Sequence, residues 1–252
     1  MLNIQSLFNP KIWENPGKAG IGILLVLMVA QEWRRGWFRD FRGYLKNLSF
    51  KPYAVIFTTF SVLFLSAFFQ DRFLLEKIQG LQGPVGSFLL ACGRAVGENI
   101  KFWYLLLSFY WIARLLRSDR WSAGSFGALL SSILAGLLAH TFKFVFMRTR
   151  PTETLDPYSF FNYHDMFHNS KAHQSLPSGD VSLVSAAAGY LFFAIPNPVL
   201  RLLALVIPLA NAFARVTLNR HWASDTLAAM GLGLMAAWFF WSFKEYQRRK
   251  PA

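Results

Sequence analysis

Acidic residues and cysteines are scarce in this sequence. Asp and Glu number 13 against 26 Lys and Arg, and charged residues make up only 15% of the chain, whereas 54% of its 252 residues are hydrophobic. So low a charge content excludes an ordinary soluble domain and favours a membrane protein. The single cysteine, Cys92, excludes an intrachain disulfide. The chain also lacks internal repeats and low-complexity tracts.

Six long apolar stretches predict transmembrane helices, because most of them approach the ~20 residues that span a bilayer. They cover residues 53–70, 99–116, 123–147, 181–195, 199–218 and 225–243. An earlier stretch, Ala19 to Ala30, holds about 12 strongly apolar residues, too few to span, and is interpreted as an interfacial or half-inserted helix. The predicted fold is an all-α polytopic membrane bundle with six core transmembrane helices plus an N-terminal interfacial helix.

The predicted organisation has one membrane domain between two short segments. Residues 1–50 form an N-terminal interfacial and cytoplasmic segment, 51–245 the six-helix domain, and 246–252 a basic cytoplasmic tail. With six spans, the loops richest in Lys and Arg fall on one side, which the positive-inside rule makes cytoplasmic. The net charge of +13 is then explained by anionic lipid headgroups rather than nucleic acid. We expect a protein of the cytoplasmic (inner) membrane.

Three polar segments meet at the opposite, periplasmic or extracellular, face. They read KFVFMRTRP after the third span, SLPSGD before the fourth, and ARVTLNRHWASD between the fifth and sixth. Their clustered basic residues are Lys143, Arg150, Arg215, Arg220 and His221. Each alone is typical of a side chain that extends from a helix end to the interface, but together, at membrane depth, they favour a bound anion. Phosphate fits best, because guanidinium groups match its oxygens.

Two smaller patterns in these segments suit phosphate chemistry. Ser178 and Gly179 begin the fourth span, where the unpaired backbone N–H groups of a helix N-terminus can hold a phosphate; an ordinary Pro-Ser-Gly turn is the alternative. Asp225 follows His221 by four residues, so its carboxylate can keep one ring nitrogen protonated and leave the other as a nucleophile. Asp225 can also cap the last helix, and the two roles are compatible.

The three segments together resemble the signature of the type 2 phosphatidic acid phosphatase superfamily, from about residue 50 to residue 245. The first family motif, lysine, six residues, then Arg-Pro, is matched by Lys143, Arg150 and Pro151. The second, Pro-Ser-Gly-His, is matched by residues 177–179, with Asp180 in place of the histidine.

The third family motif, Ser-Arg, five residues, histidine, three residues, aspartate, is matched by Arg215, His221 and Asp225, with Ala214 in place of the serine. The resemblance implies a membrane lipid phosphatase that needs no metal or other cofactor. It implies that His221 forms a phosphohistidine and that Asp225 orients it. The phosphate-binding residues that it implies are Lys143, Arg150, Ser178, Gly179 and Arg215. A second histidine group, His164, His168 and His173, has no obvious partners for a metal site.

Asp180 is the main departure from the family. The family's histidine there is the general acid that protonates the leaving oxygen and later the base that activates water. A carboxylate about 4 Å from one phosphate charge costs ~4 kcal/mol at an effective dielectric of 20. Three explanations for Asp180 follow. It is a substitute acid that its anionic ligand keeps protonated, it marks a natural binding protein that has lost turnover, or it is an engineered change that disables an active enzyme. Because every other motif position except Ala214 is intact, we favour the last explanation, with impaired turnover.

The sequence thus predicts hydrolysis of a phosphomonoester or pyrophosphate on a membrane lipid. The loop at 71–98 carries apolar patches that can lie in the interface and guide a headgroup sideways into the site. The resemblance leaves phosphatidylglycerophosphate, polyprenyl pyrophosphate, phosphatidic acid and the phosphates of lipid A as candidate substrates. A non-catalytic phospholipid-binding or transport protein is the alternative that Asp180 supports. Vanadate-dependent peroxidases share the motifs, but six spans argue against that activity.

Overall fold

The structure, a computed structural model, describes residues 16–81, 83–97, 99–161 and 172–249, which form ten α-helices and no β-strand. In chain order the helices are α1 Pro16–Arg34, α2 Phe41–Lys46, α3 Lys51–Phe68, α4 Asp71–Gln79, α5 Pro84–Gly97, α6 Asn99–Leu115, α7 Asp119–Phe146, α8 Gly179–Ala194, α9 Pro198–Thr217 and α10 Ala223–Arg249. The predicted all-α membrane bundle is confirmed.

Four helices are long and apolar enough to cross a membrane: α3, α7, α9 and α10. The other two predicted spans are shorter apolar helices, residues 102–115 of α6 and the whole of α8. The 16 residues of α8 reach about 24 Å, less than a hydrocarbon core about 30 Å thick. Because every residue from Val181 to Tyr190 is buried, protein rather than lipid surrounds this short helix. The number of six spans stays a prediction.

Helix α8 lies at the centre of the bundle and packs against α7, α9 and α10. Small residues bring its backbone close to α10. A Cβ added at Gly233 of α10 would lie 2.7 Å from the Cβ of Ser185 and 2.8 Å from the backbone nitrogen of Ala186. Lipid gives helices no hydrophobic drive to associate, so close packing of small residues is what holds such helices together. This packing fixes the N-terminus of α8.

The outer helices present apolar side chains outward. Only 6% of the apolar window of α3 is buried, and α3 packs mainly on α10. On α9, Val199, Leu202 and Leu209 are each more than half exposed. Exposed apolar surface this continuous indicates contact with lipid.

The N-terminal region is joined to the bundle by aromatic contacts. Helix α1 runs for 19 residues, longer than the predicted apolar stretch, and packs against α6. After it, the buried ring of Trp37 lies 5.0 Å from that of Phe126 on α7 and 5.4 Å from that of Phe243 on α10. These contacts cross the predicted boundary at residue 50. The interfacial position of α1 and the domain boundaries stay predictions.

The prediction of a loop at 71–98 is wrong. Most of this segment forms α4 and α5, and α5 packs along α9 while Val85 and Phe88 remain exposed. Both helices are short, 9 and 14 residues, and lack the long apolar run on which the prediction of helices was based. Arg94 of α5 lines the polar cavity described below, so a helix forms that part of the cavity wall.

The contact between α8 and α10 gives a stability prediction. Gly233→Ala should lower the free energy of unfolding by about 1–3 kcal/mol, because the new methyl overpacks a backbone contact. Gly124→Ala on α7 is the matched control: no atom lies within 4 Å of the added Cβ, so it should be neutral or stabilise by up to about 1 kcal/mol. Denaturation of the purified protein in detergent measures both. Equal effects would contradict the close packing of α8 and α10.

Candidate active site

A polar cavity of about 550 Å³ opens at the end of the bundle where α7 and α9 end and α8 begins. Six of the eight predicted site residues line it: Lys143, Arg150, Gly179, Asp180, Arg215 and His221. The remaining two, Ser178 and Asp225, are buried behind its wall. Arg94, His140 and Arg220 also line the cavity; Arg94 and His140 were missed in the sequence analysis.

The N-terminus of α8 forms one wall of the cavity. Ser178 is the residue before the helix, fully buried, and its hydroxyl has no hydrogen-bond partner among the described residues. Gly179 begins the helix, and a Cβ placed there would lie 3.5 Å from the Nζ of Lys143. The N-terminus of α8 and the ammonium group of Lys143 therefore face one small volume, with the unpaired hydroxyl of Ser178 directly behind it. This combination suits an anion.

Arg150 reaches the cavity from the chain that follows α7. Met147 ends that helix in a left-handed conformation, φ 42°, which turns the chain back toward α8. The backbone N–H of Arg150 then donates to the carbonyl of Ala172 at 2.9 Å. Burial and the nearby charge of Arg220 lower the pKa of Arg150, but a guanidinium stays charged in proteins. Its Nε has no hydrogen-bond partner in the described part of the chain.

Asp180 forms an ion pair with Arg215. Its Oδ2 lies 3.0 Å from Nη2 of Arg215, and each side chain is at most 20% exposed. Asp180 also stands in the first turn of α8, where a negative charge is stabilised by the helix dipole. The carboxylate thus makes, within the protein, the interactions that suit a bound anion.

The geometry around His221 indicates which ring nitrogen carries the proton. Nδ1 lies 2.8 Å from the carbonyl oxygen of Ser175, which can only accept, so Nδ1 donates and Nε2 keeps its lone pair. Burial lowers the pKa of His221 to about 4, with the charge of Lys143 acting in the same direction and Asp225 opposing it. The ring is therefore neutral at pH 7 and suited to act as a nucleophile.

Asp225 acts on His221 less directly than the sequence suggested. Its Oδ2 is 3.7 Å from Nδ1 of His221, beyond hydrogen-bond distance. The same oxygen accepts from the Ser175 hydroxyl at 2.5 Å and from the backbone N–H of Trp222 at 2.9 Å. The second contact caps α10 at its third residue. Asp225 therefore fixes both chain segments that hold the imidazole.

Arg148 is a buried residue that the sequence analysis missed. It has no exposed surface, and its guanidinium binds Asp225 at 2.6 Å and Asp71 of α4 at 2.7 Å. It also donates to Ser224 and to the carbonyl of Pro157. The rings of Phe68, Phe160 and Trp222 lie 5.2–5.5 Å from its Cζ. The signal in the sequence was the extra arginine of "RTR" and the lone aspartate that begins α4, three residues after the end of α3.

The histidines outside the motifs give no metal site in the part of the chain that the structure describes. His164 and His168 lie outside the described residues. His173 is buried, with Nδ1 3.0 Å from the hydroxyl of Thr149. Within the described ranges, no three His, Cys, Asp or Glu residues are grouped so that they could hold a metal ion.

The Arg148 network gives a second prediction. Arg148→Met should cost about 3–5 kcal/mol of stability, because it leaves Asp71 and Asp225 buried without their cation. Arg148→Lys should be intermediate, since an ammonium keeps the charge but not the fork of donors. Arg72→Met, an exposed arginine on α4, is the control and should change stability by less than about 0.5 kcal/mol. Similar losses for Arg148→Met and Arg72→Met would contradict the role of the network.

Comparisons with known proteins identify the family. Among solved structures, the transmembrane PAP2 type phosphatidylglycerolphosphate phosphatase from Bacillus subtilis matches with a TM-score of 0.59 at 20% identity, covering 81% of this chain and 100% of that one. This likeness is one of fold. No curated protein matches the chain. The family model of the PAP2 superfamily matches residues 124–249, which is half of the chain and includes α8, α9 and α10 entire. The chain therefore belongs to the PAP2 superfamily.

Proposed function

We propose that this protein is a membrane lipid phosphatase that hydrolyses a phosphomonoester or pyrophosphate through a phosphohistidine on His221. One observation carries the proposal: His221, with its Nδ1 bonded to a carbonyl, shares a cavity with Lys143, Arg150 and Arg215. The imidazole supplies a nucleophile, and the cations supply charge for phosphate oxygens.

In the proposed first step, the lone pair of His221 Nε2 attacks phosphorus and the bond from phosphorus to the lipid oxygen breaks. That oxygen takes up a proton from water as it leaves. In the second step, a water molecule attacks the phosphohistidine, loses a proton and releases inorganic phosphate and neutral His221. Phosphoryl transfer depends mainly on positioning and charge. In this proposal Lys143, Arg150 and Arg215 hold the oxygens, together with the Ser178 hydroxyl and the N–H of Gly179.

The shape of the cavity supports a lipid as the substrate. Its wall includes Gly136 of α7 and Leu183 of α8, and Gly136 lies about two helical turns deeper in the bundle than Lys143. The cavity therefore extends from the polar end toward the membrane interior, as a phosphate attached to a bilayer lipid requires. The structural neighbour is named as a phosphatidylglycerolphosphate phosphatase, which supports a lipid phosphate as the substrate here.

The charge distribution supports a site on the periplasmic or extracellular face of the inner membrane. Arg35 and Arg114 both pair with Asp119 at the start of α7, and Lys244 lies over the ring of Trp37. These cations stand at the end of α7 opposite Lys143. We propose that this basic end is cytoplasmic and contacts anionic lipid headgroups.

We propose further that Asp180 slows turnover. While the Asp180 carboxylate is ion-paired with Arg215, it competes with the phosphate for that guanidinium. An ionised carboxylate also has no proton to give to the leaving oxygen. The same ion pair favours a second candidate function, a non-catalytic phospholipid-binding or transport protein. In such a protein a phosphate replaces the Asp180 carboxylate on Arg215 and is later released without chemistry.

The nucleophile can be tested in an Asp180→His background. His221→Ala should abolish release of inorganic phosphate from lipid phosphates, and ³²P from a labelled substrate should no longer be retained on the denatured protein, because no phosphohistidine forms. Asp225→Asn should lower turnover severely but less completely. Denaturation curves serve as the folding control. If His221→Ala kept more than a tenth of the turnover of the Asp180→His protein, that result would contradict His221 as the nucleophile.

Two substitutions at Asp180 separate its possible roles. Asp180→His should raise turnover by about 10²–10⁴-fold, the usual contribution of general acid–base catalysis. Asp180→Asn removes the charge without adding an acid, so it should tighten phosphate binding with a much smaller gain in rate. A fall in rate in both variants would identify Asp180 as a working acid. An unchanged rate in Asp180→His would mean that the acid lies elsewhere, with His140 the other imidazole on the described cavity wall.

A further inference from the structure

The cavity holds more positive charge than one phosphate requires. Among the described residues that line it, five are cationic, namely Arg94, Lys143, Arg150, Arg215 and Arg220, and one, Asp180, is a carboxylate. A phosphomonoester carries at most two negative charges, so together with Asp180 it leaves two of the five cations uncompensated. Like charges at close range repel. A ligand with further negative charge is therefore favoured.

These cations lie at two depths. Lys143, Arg150 and Arg215 are half-buried, whereas Arg94 and Arg220 are exposed. Neither exposed arginine has an ion-pair partner within the described residues. Arg220 is near enough to Arg150 to lower the pKa of that guanidinium. The exposed pair thus forms a cationic rim, Arg94 and Arg220, outside the inner phosphate site.

The helix that carries Arg94 is held against α9 by a dedicated contact. A Cβ at Gly93 would lie 2.1 Å from the carbonyl oxygen of Ala210, so only glycine permits this approach. Beside it, the Nδ2 of buried Asn211 donates to the carbonyl of Gly93 at 3.1 Å. The Oδ1 of the same amide is buried without a hydrogen-bond partner among the described residues, so the Nδ2 bond to Gly93 is what offsets part of the cost of burying the amide. Its bond fixes the backbone next to Arg94.

A simpler role for Arg94 is to stabilise α5, because it lies in the last turn of that helix, where a cation interacts favourably with the dipole. Stabilisation of α5 by Arg94 explains neither why α5 is fixed against α9 nor why Arg94 lies on the cavity wall. It also gives no reason for the second rim cation, Arg220, which comes from a different segment.

We infer that Arg94 and Arg220 bind a second phosphate of the substrate, joined to the scissile phosphate either directly, as in a diphosphate, or through a short polyol, as in a phosphodiester. The inference rests on the proposed function and narrows its substrate class to lipid headgroups with two phosphates. Arg94 is the specificity-determining residue, because it lies outside the three motif segments.

A binding experiment tests the rim without turnover. The purified protein in detergent is titrated with inorganic pyrophosphate and with inorganic phosphate, and we expect about tenfold tighter binding of pyrophosphate. Arg94→Gln should bring the two affinities close together, Arg94→Lys should keep part of the difference, and Arg72→Gln, an exposed arginine on α4, should keep all of it. Asn211→Leu should act like Arg94→Gln, since it releases α5. Equal affinities in the unmodified protein, or an equal loss for both anions in Arg94→Gln, would overturn the inference.

Turnover in the Asp180→His background distinguishes the two sources of the second phosphate. Phosphate release is compared for a polyprenyl diphosphate, phosphatidylglycerophosphate and phosphatidic acid, which has one phosphate. Arg94→Gln should lower kcat/KM about tenfold for the two-phosphate lipid that fits the rim and less than twofold for phosphatidic acid. A uniform loss would contradict the inference. No release from any of these lipids would contradict the proposed function instead, and the anion titration would still decide the role of the rim.

Discussion

The buried charge of Arg148 is the constraint on which the arrangement of the site depends. A guanidinium without exposed surface must have its donors satisfied, and here they bind Asp71, Asp225, Ser224 and the carbonyl of Pro157. These partners belong to α4, to the first turn of α10 and to the chain after α7. One side chain therefore ties together three segments that are distant in sequence. Asp225 extends the connection to Ser175, and Ser175 holds His221.

The anion site itself is built from the ends of helices. Helix α8 begins beneath the cavity, and its N-terminus contributes positive charge without a side chain. This is possible because α8 is surrounded by α7, α9 and α10 and need not reach the bilayer surface. Asp180, one residue into the helix, interacts with that terminus and with Arg215. The site thus contains its own competing anion. The position of α8 determines both the attraction of a phosphate to the helix N-terminus and the competition of Asp180 with that phosphate.

The sequence was sufficient for the parts of the site that have fixed spacing. Lys143, Arg150, Arg215 and His221 were predicted because the order and spacing of three segments are visible in one dimension, and six apolar runs place those segments at one face. The Ser175 carbonyl could not be predicted, because every residue has a backbone carbonyl and only folding selects one. Asp71 was missed because its partner is 77 residues away. Helices α4 and α5 were missed because short helices of mixed composition resemble loops.

The hydrogen bond from His221 to the Ser175 carbonyl has a consequence for how the site tolerates change over evolution. A tautomer held by a carboxylate is lost when that one codon changes. A tautomer held by a main-chain oxygen survives any substitution at position 175 that preserves the local backbone. The ring nitrogen that faces the cavity is therefore specified by the path of the chain, which the Ser175 side chain helps to fix through its hydrogen bond to Asp225.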